Sequence, residues 1–356
     1  MLDGGRRAVF VRVASFVTLL VPISVTAQVP STPREMYTAW CAGCHAEDGT
    51  GQVAVRTVTV EPMDFTDCSG TTPEPDADWE IVIAQGGPVA GLSSQMPGYG
   101  DALGQDQIHA LIGYIRTFCS EPSWPLGNLN FSVPIFTEKA FPENEVKIRP
   151  SVSHNDDDLK IKAVYERRVG ARGQVEVSVP WQMNVPDSVT ASTGLGDVSL
   201  GAKYVLHADR ASTRIFSGAV EVKMPSGSES RGLGGGTTVL EPSLLAGFAL
   251  RHFTLQTQLK LEVPIKGAGE ATELIYNIHA GRDFSGLPSA WSLGVELNGV
   301  DDRLALTPQL RKGLTKTGAL AAAWGVRIPV VNRQHQQMQW VGYLLWEYRD
   351  PVRAAP

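Results

Sequence analysis

Cys41-Ala42-Gly43-Cys44-His45 places two thiols three positions apart and an imidazole directly after the second. Thiols so spaced can bond to the two vinyl groups of a haem while the adjoining imidazole becomes an iron ligand. A bare Cys-x-x-Cys would suit zinc or thiol redox chemistry equally well, so the surrounding elements decide. Upstream, Thr32-Pro33-Arg34-Glu35 reads as a capping box with proline at the first helical position, and Met36, Tyr37 and Trp40 follow at helical spacing. The motif therefore closes a short helix. Downstream, Asp76 can cap a second helix carrying Trp79, Val82 and Ile83 and ended by Gly86-Gly87. A third helix is predicted from Gln105 to Phe118, with Ile108, Leu111, Ile112, Ile115 and Phe118 on one stripe.

A haem iron held on one side by His45 needs a second ligand from the loop before the last helix. Gln95-Met96-Pro97-Gly98-Tyr99-Gly100 offers a soft thioether on a segment that Pro97 and the glycines can bend, with Tyr99 near the haem edge. Met63, in Glu61-Pro62-Met63-Asp64, is the rival, and either methionine could instead fill a core. Met/His ligation raises the potential and fills the sixth position. That suits an electron carrier rather than a catalyst, and no catalytic residue is assigned.

Residues 32 to 119 resemble a class I cytochrome c domain through "YTAWCAGCHAEDGTG" and "MPGYGDALGQDQIHALIGYIRTF", in that family's order. The resemblance implies one haem c attached covalently through Cys41 and Cys44, axial His45 and Met96, and one-electron transfer. Cys68 and Cys119 depart from the pattern. Their even number in an exported chain suits a disulfide, with two buried thiols as the other reading. His109 falls among solvated positions of the last helix and is read as a surface residue.

Residues 1 to 27 have the basic start (Arg6, Arg7, Arg12), apolar run and small-residue end of a secretory signal peptide, which would leave a mature chain from Gln28. Pro22 argues against a retained anchor, and no other window approaches the ~20 apolar residues of a spanning helix. The net charge of -6 gives no electrostatic case for nucleic acid. The haem-bearing unit is assigned to 28 to 120. Residues 121 to 144 read as a Pro-rich linker, with Pro122, Pro125, Pro134 and Pro142 and no sustained period.

From 145 to 350 the period becomes two. In His252 to Val263 one face carries Phe253, Leu255, Leu259, Leu261 and Val263, and the other Gln256, Gln258, Lys260 and Glu262. About twelve such segments recur, most near ten residues, longer than the strands of an ordinary soluble sandwich and suited to an antiparallel transmembrane β-barrel. Connections after even-numbered segments are mostly short (169 to 172, 207 to 212, Arg251, 285 to 288), and those after odd ones often long and polar (182 to 194, 225 to 237, 265 to 271, 329 to 336). Since outer-membrane barrels have short periplasmic turns, both termini and the haem domain should be periplasmic. Trp181, Tyr204, Trp291, Trp324, Trp340, Trp346 and Tyr348 are candidates for aromatic girdles.

The barrel region resembles the outer-membrane transporter family associated with aromatic-degradation gene neighbourhoods, through "GLGDVSLGAKYVL" at 194 to 206 and its aromatic last strand. That likeness implies a barrel more firmly than any solute. The tail "DPVRAAP" departs from barrels that stop at an aromatic. The acidic tip Asn155 to Asp158 and the Gly-rich run 232 to 236 carry no metal or phosphate pattern that stands out from solvated loops. A domain of about 90 residues has a radius of gyration near ~12 Å, too large for a barrel of about twelve strands to enclose. The sequence thus leads to a monohaem electron carrier tethered to an outer-membrane barrel, with lipid and a periplasmic or channel-borne redox partner as its surroundings. The alternative is a porin whose cytochrome domain is a redox gate, sensor or tether and whose lumen takes a small solute.

Overall fold

A computed structural model describes residues 30–54, 58–154, 158–184, 191–209, 213–265, 271–284 and 289–348. The signal-peptide segment, Asn155 to Asp157 and the tail after Tyr348 lie outside the described residues.

The first unit is a small helical bundle. In α1 (Pro33–Trp40) the Glu35 N–H donates to Thr32 Oγ1 at 3.3 Å and the Thr32 N–H to Glu35 Oε2 at 3.1 Å, which completes the capping box. After it come α2 (Ala42–His45), α3 (Cys68–Thr71), α4 (Asp76–Gln85) and α5 (Gln105–Ile115). The apolar stripe of α5 buries Ile108, Leu111, Ile112 and Ile115 against Met36, Tyr37, Phe65 and Ile83. The predicted third helix is shorter than expected and ends at Ile115, with Phe118 only partly buried against the same core. Cys68 and Cys119 form a disulfide.

Asp76 is not the cap expected of it. Pro75 holds the cap position and Asp76 opens the first turn, because its carboxylate is engaged elsewhere. It accepts from Arg116 Nε at 2.9 Å and from Asn128 Nδ2 at 2.7 Å. Arg116 is itself buried and also donates to the Thr71 and Glu74 carbonyls, both at 2.6 Å.

The second unit is a closed antiparallel barrel of twelve staves. The strands are β1 (Glu145–Ser153), β2 (Leu159–Val169), β3 (Gly173–Asn184), β4 (Ser192–Leu195), β5 (Ser199–Ala208), β6 (Arg214–Lys223), β7 (Val239–Ala249), β8 (Thr254–Pro264), β9 (Glu273–Asp283), β10 (Trp291–Val300), β11 (Arg303–Gly313), β12 (Leu320–Val331) and β13 (Gln339–Glu347). Both β4 and β5 pair with β3, so they form one stave interrupted at residues 196–198. Pairing of β1 with β13, from Glu145↔Glu347 to Ser153↔Gln339, closes the ring.

The alternation read from the sequence has a sense opposite to that of a soluble protein. On β8 Gln256 and Gln258 are 1% and 7% exposed, whereas Leu259 and Leu261 are 47% and 41% exposed. Leucine, valine and tryptophan face outward on the other strands as well, among them Leu244, Leu293, Trp291, Trp324, Leu344 and Trp346. A closed ladder satisfies every stave's backbone, and an apolar exterior over a polar interior is what a lipid bilayer requires of a spanning sheet. No described helix is long and apolar enough to cross a membrane.

The helical unit sits at the barrel end that carries the short turns. Lys316 Nζ, in the β11–β12 turn, donates to the Pro88 carbonyl at 3.4 Å. The chain that leaves the unit is held at the same end, where Arg172 Nε, in the β2–β3 turn, donates to the Ser123 carbonyl at 3.0 Å.

Between the two units, residues 126–143 run through the barrel lumen. Leu129, Phe131, Ala140 and Phe141 pack on Val205, Ile215 and Leu245, and Val133 and Ile135 pack on Ala323, Val341, Tyr343 and Leu345. Its backbone, which lacks a sheet of its own, is satisfied by wall side chains. Glu296 of β10 accepts the N–H groups of Ile135 at 2.7 Å, Phe136 at 2.9 Å and Thr137 at 2.7 Å, and the Thr137 hydroxyl at 2.7 Å. Tyr343, Gln256 and Ser217 donate to the Val133, Ser132 and Ala140 carbonyls at 2.7, 2.9 and 2.6 Å. The wall is shaped to fit: a Cβ at Gly247 would stand 2.7 Å from the Phe131 ring, and one at Gly325 3.1 Å from Ile135 Cδ1.

Candidate functional site

Cys41 ends α1 and begins the single turn of α2, which carries Cys44 and His45 on the same bend. The N–H groups of Cys44 and His45 both donate to the Cys41 carbonyl, at 3.1 and 2.9 Å. Cys41 is buried and Cys44 half-buried, and both are free thiols. Burial, with Cys44 adjacent, pushes the Cys41 thiol up to about 11. Cys41 is thus held as the thiol, the form that adds to a vinyl group.

His45 Nδ1 lies 3.1 Å from the Met63 carbonyl oxygen. A carbonyl can only accept, so Nδ1 carries the proton and Nε2 keeps its lone pair for a metal. Burial lowers the His45 pKa, only partly opposed by that hydrogen bond, and so favours the neutral, ligating form. The ring stacks on Phe65, 4.4 Å between centroids and 19° from parallel. Below it, Tyr37 Oη donates to the Ala46 carbonyl at 2.7 Å, fixing the chain where it leaves the motif with Ala46 at φ 61°.

The Met96 loop is laid along the end of α4. Tyr99 and Gly100 N–H groups donate to the Ile83 and Ala84 carbonyls at 2.8 and 2.9 Å, and the Gly87 N–H to the Met96 carbonyl at 3.0 Å. Gly86 makes this approach feasible: its φ is +84°, and an added Cβ would stand 2.9 Å from the Met96 carbonyl oxygen. Tyr99 then ties the loop to the attachment motif, its phenol donating to the Trp40 carbonyl at 2.8 Å with the two rings 6.2 Å apart. Met96 is half-buried and Pro97 exposed.

Cys41, Cys44, His45, Met96, Pro97 and Tyr99 are therefore connected through α1, α2 and the Trp40–Tyr99 contact. Met63 is placed differently, with its carbonyl committed to the Nδ1 edge of the imidazole, away from Nε2, and its side chain packed on the helical core. Two thiols, an imidazole with a free Nε2 and a thioether are the donor set a c-type haem takes. His109 is a surface residue, half exposed and 3.0 Å from Glu80. The Met63 carbonyl and the Phe65 ring were not found by sequence reasoning. A backbone acceptor leaves no trace in residue type, and Phe65 is an ordinary core aromatic until the fold brings it to His45.

The family described as cytochrome c oxidase, cbb3-type, subunit III matches residues 28–115. No curated protein matches the chain. Among solved structures, the COG4313 outer membrane channel from Pseudomonas putida F1 is similar at 13% identity and TM-score 0.45, covering 61% of this chain and 100% of that one. A KdgM porin in complex with disordered oligogalacturonate shows 14% identity and TM-score 0.41, covering 58% of this chain and 99% of its own. The NanC porin shows 8% identity and TM-score 0.41, covering 57% and 99%.

Proposed function

We propose that this chain is a monohaem c-type cytochrome anchored by its barrel in the outer membrane of a Gram-negative bacterium, transferring single electrons at the periplasmic face. The observation that carries the reading is the His45–Met63 hydrogen bond, which leaves Nε2 of a neutral imidazole beside two reduced thiols. In this reading Cys41 and Cys44 attach one haem c, and His45 and Met96 hold its iron. Pro97 and Tyr99 shape the ligand loop. The haem, when bound, supplies the one-electron redox couple. The chain's own residues orient the imidazole, bring up the thioether and pack the core around them. The cytochrome family match over 28–115 supports the same assignment. Residues 28 to 120 are the redox unit, 121 to 144 the connecting segment and 145 to 350 the anchor, with signal-peptide removal before Gln28. The short-turn end, where the redox unit sits, faces the periplasm, and the partner is a periplasmic or channel-borne redox protein.

The test is the absorption spectrum of protein purified from cells that mature c-type cytochromes. One haem per chain that survives acid-acetone extraction, with a low-spin ferrous spectrum, is expected. Haem that extracts, or none at all, defeats the assignment.

A second reading, a solute channel with the cytochrome as redox gate, sensor or tether, rests on the cavity in the lumen beyond residues 133–139. Residues 126–143 stand across the passage, so steady conductance by the full chain would favour this reading and its absence the first.

A further inference from the structure

The lumen beyond the threaded segment is a charged pocket. A cavity of about 510 Å³ has residues 133–139 as its floor and opens toward the long-loop end. It meets a second cavity of about 330 Å³ at Val300, Arg327 and Gln339. Val133, Ile135 and Phe136, with Val164 and Val341 from the wall, make the inner part apolar.

The charges around it are not balanced. Each of the four carboxylates that line the cavity is met by a donor: Glu166 by Lys147 at 2.8 Å, Glu138 by Lys203 at 3.8 Å, Glu221 by Lys162 at 3.8 Å and Glu176 by Ser178 Oγ at 3.0 Å. Three lining cations, Arg149, Lys160 and Arg327, have no described carboxylate within 4.0 Å. Arg149 donates to the Ile135 carbonyl, and Arg327 to Gln336 Oε1 at 2.9 Å. The strand register puts the three on one wall, since β12, β13, β1 and β2 are neighbours, with Arg327 opposite Gln339, Lys160 opposite Ser151 and Arg149 opposite Lys162.

We propose that this pocket binds a small organic carboxylate with an apolar body, its acid group on Lys160 and Arg327 toward the long-loop end and its hydrocarbon part deeper, on Ile135, Phe136 and Val341. Guanidinium groups pair with carboxylates through two parallel hydrogen bonds. Residues 133–139 of the threaded segment form the inner side of the site. It is independent of the haem.

The probe is 4-fluorobenzoate, followed by ¹⁹F relaxation on the full chain in detergent, with 4-fluorobenzyl alcohol as a neutral match and acetate as a match without the apolar body. Saturable binding of the benzoate at least tenfold tighter than either match is expected. Lys160→Gln combined with Arg327→Gln, which spares the Arg149 contact to the threaded segment, should weaken it by about tenfold or more. An unchanged shift on heating in gel electrophoresis would show that the variant keeps its barrel. Equal binding of benzoate and alcohol, or a double variant that retains its barrel and the wild-type affinity, would overturn the proposal.

Discussion

His45 Nδ1 and the Met63 carbonyl oxygen stand 3.1 Å apart, and this contact separates the two methionines of the redox unit. Met63 meets the His45 imidazole through its backbone, and its side chain packs on the helical core. Met96 sits on the loop that Tyr99 draws to Trp40. Met96→Ala is expected to abolish the thioether-to-iron charge-transfer band and to lower the potential. Met63→Ala, which keeps the carbonyl, should leave the band in place and cost only packing, less than the roughly 2–5 kcal/mol of a fully buried methionine because Met63 is partly buried. Loss of the band in Met63→Ala alone would reverse the assignment.

Much of this was legible in residue types, for particular reasons. The capping box at Thr32, the α5 stripe and the twelve dyad segments are local patterns, and local patterns decide elements. The sense of the dyad was not visible on β8 alone, because Gln256 inside and Leu259 outside alternate just as they would the other way round. Strand length and turn asymmetry had to supply it. The role of 126–143 left still less signal. Its prolines and lack of period read as a spacer, while its partners Glu296, Gln256 and Tyr343 lie more than a hundred residues away on the barrel wall.

Glu296 gathers three backbone N–H groups and one hydroxyl of the threaded segment. Its removal would strand buried donors at about 1–3 kcal/mol each, while the strand ladder that closes the barrel stays intact. Glu296→Ala should therefore keep its shift on heating in gel electrophoresis yet show channel openings in planar bilayers that the parent chain lacks. Joining Ser132 to Asp283, whose side chains meet at 2.9 Å, by a Ser132→Cys and Asp283→Cys pair should silence those openings when oxidised. Openings as frequent in the parent as in the variant would mean that the segment does not seal the lumen.

Asp78, on the first turn of α4, is pushed up to about 7, by burial first and then by the charges of Glu74 and of Glu347 and Asp283 on the barrel. Its ordinary pKa is about 3.9. The folded, docked state thus holds a proton that the unfolded chain has released between those values. Stability from this group is full below about pH 4, falls as pH rises toward about 7 and is flat above that. Asp78→Asn should raise the melting temperature at pH 8, leave it unchanged near pH 4 and flatten the profile between. Thermal scans of the parent and variant across that range decide it, and an identical slope in both would exclude Asp78 as its source.

The position of the redox unit makes orientation testable. Its Pro88 carbonyl accepts from Lys316 of the β11–β12 turn, and Ser123 of the connecting segment accepts from Arg172 of the β2–β3 turn, both at the short-turn end. Short turns face the periplasm in outer-membrane barrels. An epitope inserted in the loop 225–237, at the opposite end, should be labelled on intact cells, whereas the haem unit should be reached only after the outer membrane is permeabilised. In that topology the carboxylate pocket opens outside and the haem lies on the other side of the threaded segment, so electrons must come from a periplasmic partner. Protease cleavage within residues 45 to 119 on intact cells would invert the barrel, and direct exchange with an extracellular donor would then follow from the same contacts.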